Sequence, residues 1–413
     1  ASDVYKRQGH YLMGAALRAE FGAGHAPLFG FKACVAGNIP PGAALSSSAA
    51  LCVAAYGAIC ALNGRENRAA DWILAARDAE WFSGARTGTS DQAACVLCRQ
   101  SEICNVALLA EDFSLDTLRR VRFPAGYKLL VINSYTRRSL SGAEQIAYTK
   151  NRFAYSMALD VFRHEWAALS GNPEAAARLD RLSRIVTDAP EFLERVYDVL
   201  LRVPESASVD DLRSRYALES LDEQYDRYFG NADPALRPTH FNLRGPLLYG
   251  IAESERARRF ADWLDRGDID SAAHAMNTGH NGDRVFTPGG APHTRAISSE
   301  TLVAARDART PITEFPGDYG ASSPALDAVV DTARGAGAVA ACLTGAGIAG
   351  CILALCRDED VSRVSNAVRA RLAAEDYVGL SRRTAPLSTE ELTDAVLVNA
   401  SPTGACELPW PLN

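Results

Sequence analysis

The run Ile39-Pro-Pro-Gly-Ala-Ala-Leu-Ser-Ser-Ser-Ala-Ala-Leu51 sets two prolines and small side chains directly before three hydroxyls, and the hydroxyls before an apolar helical stretch. Small side chains let a backbone come close to a ligand. A helix start offers unpaired N–H groups and the positive end of its dipole. An anion, phosphate foremost, is the natural occupant, and seryl oxygens could hold a phosphate oxygen or a hard cation such as Mg²⁺. The other reading is an ordinary helix N-cap. A Walker-type nucleotide loop is excluded, because no Gly-Lys-Ser/Thr occurs here.

Two further segments carry chemistry. Leu343-Thr-Gly-Ala-Gly-Ile-Ala-Gly-Cys351 lies between two apolar runs. Its glycines suit either a turn whose amides approach a bound group or a plain tight hairpin. In Gly88-Thr-Ser-Asp91-Gln92 the aspartate could be a general base, a cation ligand or a cap for the helix after it.

The elements that must hold these segments follow from periodicity. Phe29, Phe31, Ala33 and Val35 alternate as a half-buried strand would, and Ala49–Leu62 reads as a buried helix stopped by Asn63-Gly64. A helix is expected over 68–81 and a strand over 128–133. A charged helical stretch should run over 144–229, broken at Pro173, Pro190 and Pro204. Helices continue over 252–266 and 271–276. Residues 283–322, rich in Pro and Gly, read as a loop excursion, either a lid or a plain surface insertion. A helix over 323–334, strands over 338–343 and 351–356, a helix over 360–376 and a strand over 395–399 close the pattern. The class is α+β. A first helix begins near Gly9, and Ala1–Gln8, without pattern, reads as a foreign leader or the ragged start of a fragment.

Composition narrows the function classes. The chain has 413 residues, 47% hydrophobic and 23% charged, with a net charge of −7, which fits a globular protein of two or three domains and opposes a nucleic-acid surface. No apolar run is long enough to span a membrane, and no signal peptide is recognisable, so a cytoplasmic protein is expected. Of ten cysteines, Cys34, Cys52, Cys60, Cys342, Cys351 and Cys356 fall in apolar patterns and read as buried thiols. Cys95, Cys98 and Cys104 alone have a spacing that invites a metal or redox reading. No second pair and no histidine stand nearby.

Taken together and in order, Pro-x-x-x-small-Leu-Ser-Ser-Ser-Ala-Ala, Gly-x-x-Asp-Gln and Thr-Gly-Ala-Gly-x-x-Gly-Cys resemble the GHMP superfamily of small-molecule kinases, the galactokinase branch in particular. Asn133-Ser-Tyr-Thr-Arg137 with Glu144, Met276-Asn277-x-x-His280, Ser323-Pro-Ala-Leu-Asp327 and a terminal Ser401-Pro-x-x-Gly-Ala405 extend the resemblance over most of the chain. It implies a two-domain fold, an N-terminal mixed sheet with helices over 9–140 and a C-terminal ferredoxin-like α/β sandwich over 141–413. It also implies a sugar kinase that uses ATP and Mg²⁺ to phosphorylate the anomeric C1 hydroxyl of galactose or a related monosaccharide, with no membrane or nucleic-acid partner. By the same resemblance Pro41, Gly42, Ala43, Ala44, Leu45, Ser46, Ser47 and Ser48 cradle the triphosphate, with Ser48 at the Mg²⁺. Gly345 and Gly347 support that loop. Asp91 is the catalytic aspartate, Arg137 a cation near the transferring phosphate, and Gly88 and Gln145 sugar contacts.

The departures are specific. Ala44 and Ala349 stand where the family has glycine, and a methyl group there would restrict φ or crowd the nucleotide. Gln145 replaces a sugar-binding tyrosine, which opens a uronic acid or a pentose as substrate, with Tyr148 a substitute contact. The family's opening segment, with the arginine beside the aspartate, has no counterpart in residues 1–40, so a fragment lacking its first strands is expected. A sensor that binds nucleotide without turnover is the alternative of a different class.

Overall fold

The computed structural model describes residues 2–22, 27–39, 43, 45–84, 87–108, 113–136, 143–293, 295, 297–399 and 404–406, with the backbone alone for 2–8, 22, 143–145, 147 and 148. Packing divides the chain into two compact units, 1–125 with 399–413, and 126–398.

The first unit opens with three helices, α1 (Ser2–Gly22), α2 (Ser47–Leu62) and α3 (Ala69–Phe82). Small residues let them approach closely. A side chain at Gly14 would meet the Ala79 carbonyl at 2.7 Å, and one at Gly57 would meet the Trp72 ring at 2.3 Å. Ala15, Ala19, Ala76 and Ala79 bury against Cys52, Val53 and Ile59, Arg18 pairs with Asp78 at 3.0 Å, and the Trp72 indole donates to the Val53 carbonyl at 2.8 Å. Then come α4 (Ser90–Leu97), β1 (Glu102–Asn105) and β2 (Arg119–Arg122), the two strands paired antiparallel from Glu102↔Arg122 to Asn105↔Arg119. This ribbon is the only sheet among the described residues of the unit.

Two expectations change here. The first helix starts earlier than Gly9: residues 2–8 form the first turns of α1, because nothing breaks a helix before that glycine. Residues 27–38 form no strand. Alternation fixes the faces of a strand but supplies no ladder partner, and an unpaired strand is not stable in water. Phe29 is accordingly 77% exposed, with Phe31, Val35 and Cys34 exposed beside it. The extended run is held at Phe29, whose N–H donates to Asn63 Oδ1 at 2.7 Å.

The second unit begins with β3 (Tyr127–Asn133), then α5 (Ala143–Ser170), α6 (Pro173–Ala177), α7 (Pro190–Arg202), β4 (Ser206–Ser208), α8 (Val209–Arg215), α9 (Leu221–Phe229) and β5 (His240–Asn242). Pro173 and Pro190 sit in the first turn of their helices, where the missing N–H costs nothing. The helices α10 (Arg244–Asp265), α11 (Ile269–Asp283), α12 (Ser299–Asp307) and α13 (Pro324–Gly335) follow. The chain then runs through β6 (Ala340–Leu343), β7 (Cys351–Arg357), α14 (Val361–Leu372), α15 (Glu375–Leu380), α16 (Thr389–Asp394) and β8 (Val396–Asn399). The sheet order is β6-β7-β3-β8. The pair β3–β7 is antiparallel from Tyr127↔Arg357 to Asn133↔Cys351, and β6–β7 is an antiparallel hairpin. One core lies among α5, α7, α9, α10 and α12, and a second between the sheet and α13, α14 and Tyr377. The result is an α+β fold, helix-rich with small antiparallel sheets.

The 283–322 segment is not a loose excursion. Ser298 caps α12 by accepting from the Thr301 amide at 3.2 Å, and Ile297, Leu302, Ala305 and Ile312 belong to the helical core. The buried Arg244 guanidinium ties it down further, donating to the carbonyls of Val203 and Ile297, each at 3.0 Å. Its far end closes on buried acids. Asp327 accepts from Ser322 Oγ at 2.6 Å and from the amides of Val285 and Phe286, and faces His280 Nε2 at 3.2 Å. Asp283, 5% exposed, accepts from the Tyr249 hydroxyl at 2.9 Å, while its Oδ1 has no partner.

Burial pushes the Asp283 carboxyl up to about 7; Glu253 adds to this, and Tyr249, the Ala321 amide and Arg256 oppose it. The folded value lies above the usual carboxylate value of about 3.9. The folded state therefore holds the extra proton between about pH 4 and 7, and this group's contribution to stability falls as pH rises through that window. Asp283→Asn removes that titration. Thermal denaturation should place the variant higher relative to wild type at pH 8 than at pH 5; a difference that does not change with pH would refute this.

Candidate active site

The serine run and the Asp91 segment meet on one buried carboxylate. Ser46 takes the N-cap position of α2 in a left-handed conformation (φ 53°, ψ 45°), yet its hydroxyl makes no cap hydrogen bond. The ordinary-cap reading therefore fails for Ser46, and the first amides of α2 are not satisfied by that side chain. A non-glycine residue held there costs on the order of 1–3 kcal/mol, a kind of strain that gathers at ligand sites. The next residues, Ser47 and Ser48, start the helix half-buried. Ser48 lies beside Glu80, a residue of α3 only 2% exposed, and its hydroxyl helps to hold that carboxyl down.

Glu80 gathers two donors. Thr87 Oγ1 donates to its Oε2 at 3.3 Å, and the buried Gln92 amide donates to the same oxygen. Gln92 follows Asp91 in the first turn of α4, so fixing Gln92 inward sets the direction of the half-buried Asp91 beside it. Burial raises the Glu80 carboxyl above its usual range, Asp91 adds to this, and Ser48, Thr87 and Gln92 oppose it. The far end of α4 is fastened too. Its terminal carbonyls accept from the Ala405 amide (on Cys95, 2.8 Å), the Gly404 amide (on Cys98, 2.9 Å) and Arg120 Nη1 (on Leu97, 2.5 Å). A guanidinium there also complements the negative end of the helix dipole.

Of the other expected site residues, Ala43 is buried, Leu45 is half-buried and Gly88 is exposed, with open space where a side chain would project. Pro41, Gly42, Ala44 and Arg137 lie outside the described residues, as do the side chains of Gln145 and Tyr148 in α5. Gly345 and Gly347 belong to the second unit, in the β6–β7 turn, with φ of 72° and 76°. Gly347 is packed so tightly that a Cβ would lie 2.0 Å from the Ala321 carbonyl oxygen. Ala349 keeps a negative φ, and the left-handed position falls on Ile348 (φ 66°) instead, so a methyl group at 349 does not restrict the turn.

Glu80 and Thr87 escaped sequence reasoning. The signal was there for Glu80: with Ile73 and Ala76 it falls at i, i+3 and i+7 on the buried stripe of α3, where a carboxylate needs partners. The donor set fits a hard cation, with one hydroxyl and two carboxylates close by. Among the described residues no group of three or more His, Cys, Asp or Glu could cage a metal alone. Mg²⁺ carried by a phosphate substrate takes only one or two protein ligands.

Comparison with known proteins gives the same order of parts. The model of the GHMP kinases N-terminal domain matches residues 10–99, and that of the GHMP kinases C-terminal domain matches 302–374. The chain thus carries matches to both GHMP kinase domains, the N-terminal one first and the C-terminal one after it. The galactokinase of Roseiflexus sp. is 25% identical to this chain over 389 residues, 94% of the chain and 74% of the relative. A galactokinase of Schizosaccharomyces pombe is 36% identical over 101 residues, 23% of the chain and 20% of the relative. The crystal structure of Lactococcus lactis galactokinase complexed with galactose superposes with a TM-score of 0.58 at 18% identity, over 96% of this chain and 76% of that chain, which is a likeness of fold. The first family model contains Ser48, Glu80 and Asp91, and the second contains Gly345 and Gly347.

Removing the shared acceptor tests the arrangement. Glu80→Ala leaves the Gln92 amide buried without its acceptor and should cost about 1–3 kcal/mol in urea denaturation. The penalty of Glu80→Gln, which keeps volume and an acceptor, should be smaller. Equal midpoints for wild type and Glu80→Ala would sink the reading.

Proposed function

We infer that this chain is a GHMP kinase that transfers the γ-phosphate of ATP to the anomeric C1 hydroxyl of galactose or a related monosaccharide. The observation that carries this reading is the Glu80 carboxylate, which joins the helix start bearing Ser48 to the helix start bearing Asp91 within the matched N-terminal domain. Phosphoryl transfer asks for positioning and charge neutralisation more than for covalent chemistry. The uncapped amides at the start of α2 receive phosphate oxygens, with Pro41 to Ser47 forming the cradle. Ser48 and Glu80 are the oxygen ligands available to Mg²⁺, which when bound neutralises charge on the phosphates. Asp91, held by its neighbour Gln92, orients the acceptor hydroxyl and takes up its proton. Gly88 leaves room for the sugar to reach that carboxylate, and Gln145 is assigned to the sugar's rim. Arg137 supplies a fixed cation to the transferring phosphoryl group. Gly345 and Gly347, within the second family match, are assigned to the nucleotide by the family resemblance.

The substrate is found by following ATP consumption over hexoses, pentoses and uronic acids and locating the phosphate on the product by ³¹P NMR. A sugar 1-phosphate is expected, galactose 1-phosphate first. Phosphate on another hydroxyl would overturn the C1 assignment, and Mg·ATP binding without turnover on any sugar would favour a nucleotide sensor. Asp91→Ala should lower kcat at least about 100-fold while leaving Mg·ATP affinity in place. Ser48→Ala should weaken Mg·ATP binding about tenfold in a titration; unchanged affinity would remove that hydroxyl from the site.

A further inference from the structure

The three cysteines that the kinase reading does not use gather behind α4. The Cys104 thiol on β1 donates to the Leu97 carbonyl at 3.3 Å, and Arg120 Nη1 on β2 lies 3.2 Å from Cys104 Sγ. The Leu97 carbonyl belongs to the peptide unit that carries Cys98, so the Cys104 sulfur lies within about 6 Å of the Cys98 Cα. A disulfide brings the two Cβ atoms to about 3.8 Å, so closing the bridge takes a movement of the Cys98 side chain or of the turn between it and β1. Both residues are half-buried free thiols. Burial raises the Cys98 thiol above its ordinary value, the neighbouring Cys104 adds to this, and Arg120 opposes it. Arg120 also reaches Glu102 at 3.7 Å.

We propose that Cys98 and Cys104 form a peroxide-responsive dithiol, with Cys104 the attacking sulfur, Cys98 the resolving one and Arg120 the cation that steadies charge on Cys104 during attack. The Cys104 thiolate attacks one oxygen of hydrogen peroxide, the O–O bond breaks, and the departing hydroxide takes up the proton that Cys104 released. Cys98 then attacks the sulfenic sulfur, the S–O bond breaks, and the hydroxyl leaves as water with the Cys98 proton. Two thiols lose two electrons and two protons, and one peroxide becomes two waters. The bridge would fasten β1 to the C-terminal end of the helix that carries Asp91. Cys95, on α4 itself, has its thiol raised to about 11 by burial first, with Cys98, Asp91 and Glu80 adding, and is given no part in the exchange.

The test treats the full chain with hydrogen peroxide, blocks remaining thiols with maleimide and maps peptides without reduction. The expected result is a peptide linking Cys98 to Cys104, a loss of two titratable thiols, and recovery of both with dithiothreitol. Arg120→Gln should slow the bridge about threefold or more, while Arg120→Lys, which keeps the charge, should stay near the wild-type rate. In Cys98→Ser the sulfenic acid on Cys104 has no resolving partner and should be trapped by dimedone. Oxidation that leaves Cys98 and Cys104 as separate thiols, or links either to another cysteine, would overturn the pairing. An Arg120→Gln rate equal to wild type would overturn the role given to the guanidinium.

Discussion

The first unit turns on a single buried carboxylate. Glu80 lies on the apolar face of α3, and taking it out of water would be costly without partners. Ser48, Thr87 and Gln92 provide them, one from the start of α2, one from the loop and one from the start of α4. The need to satisfy one desolvated group thus sets where two helices begin. In the proposed function those two beginnings carry the hydroxyls assigned to a phosphate and the aspartate assigned to an acceptor. Function and packing share the same atoms, and that is why a residue with no obvious motif matters so much.

The helix bearing Asp91 shows how a short element is kept in place. Isolated helices of this length are not stable, so α4 depends on contacts at both ends. Its N-terminal turn hangs on Glu80 through Gln92. At the other end the carbonyls of Cys95, Leu97 and Cys98 are taken up by Ala405, Arg120 and Gly404. A side chain at Gly404 would come within 2.9–3.0 Å of the carbonyls of Cys98, Cys95 and Val96, so only glycine fits there without displacement. The returning chain end therefore helps to position a residue more than three hundred positions earlier.

Much of this was legible in the sequence. Asn63-Gly64 ends α2, and the runs at 128–133, 338–343 and 351–356 became β3, β6 and β7, whose apolar residues bury on a common sheet. The serine run and the Asp91 segment were found from residue types and order alone. What stayed hidden depends on partners that a local pattern does not contain. Phe29, Phe31 and Val35 alternate correctly but have no ladder to join among the described residues. The α12 helix lay unseen because the prolines and glycines flanking it dominate the local signal, while Leu302 and Ala305 are committed to a distant core. Glu80 was passed over because a carboxylate in an apolar stripe looks like an exception until its donors are known.

The glycine turn between β6 and β7 shows where substitution is tolerated and where it is not. Left-handed backbone falls at Gly345, Gly347, Ile348 and Gly350, not at 349. A β-branched residue at 348 carries real strain, and two contacts hold it there. The Ile348 amide donates to the Ala321 carbonyl at 2.7 Å, and the Gly350 carbonyl accepts from both the amide and the hydroxyl of Ser134, at 3.0 and 2.6 Å. The Tyr377 hydroxyl donates in turn to the Ser134 carbonyl at 2.7 Å. The turn is thus braced from the end of β3 on one side and from the loop leading into α13 on the other. Because Gly347 presses on that same Ala321 carbonyl, glycine is required at 347, where a Cβ has no room. An alanine is accepted two residues later, where φ is ordinary and the methyl group is buried. A motif read by its letters treats the two positions alike; the backbone separates them.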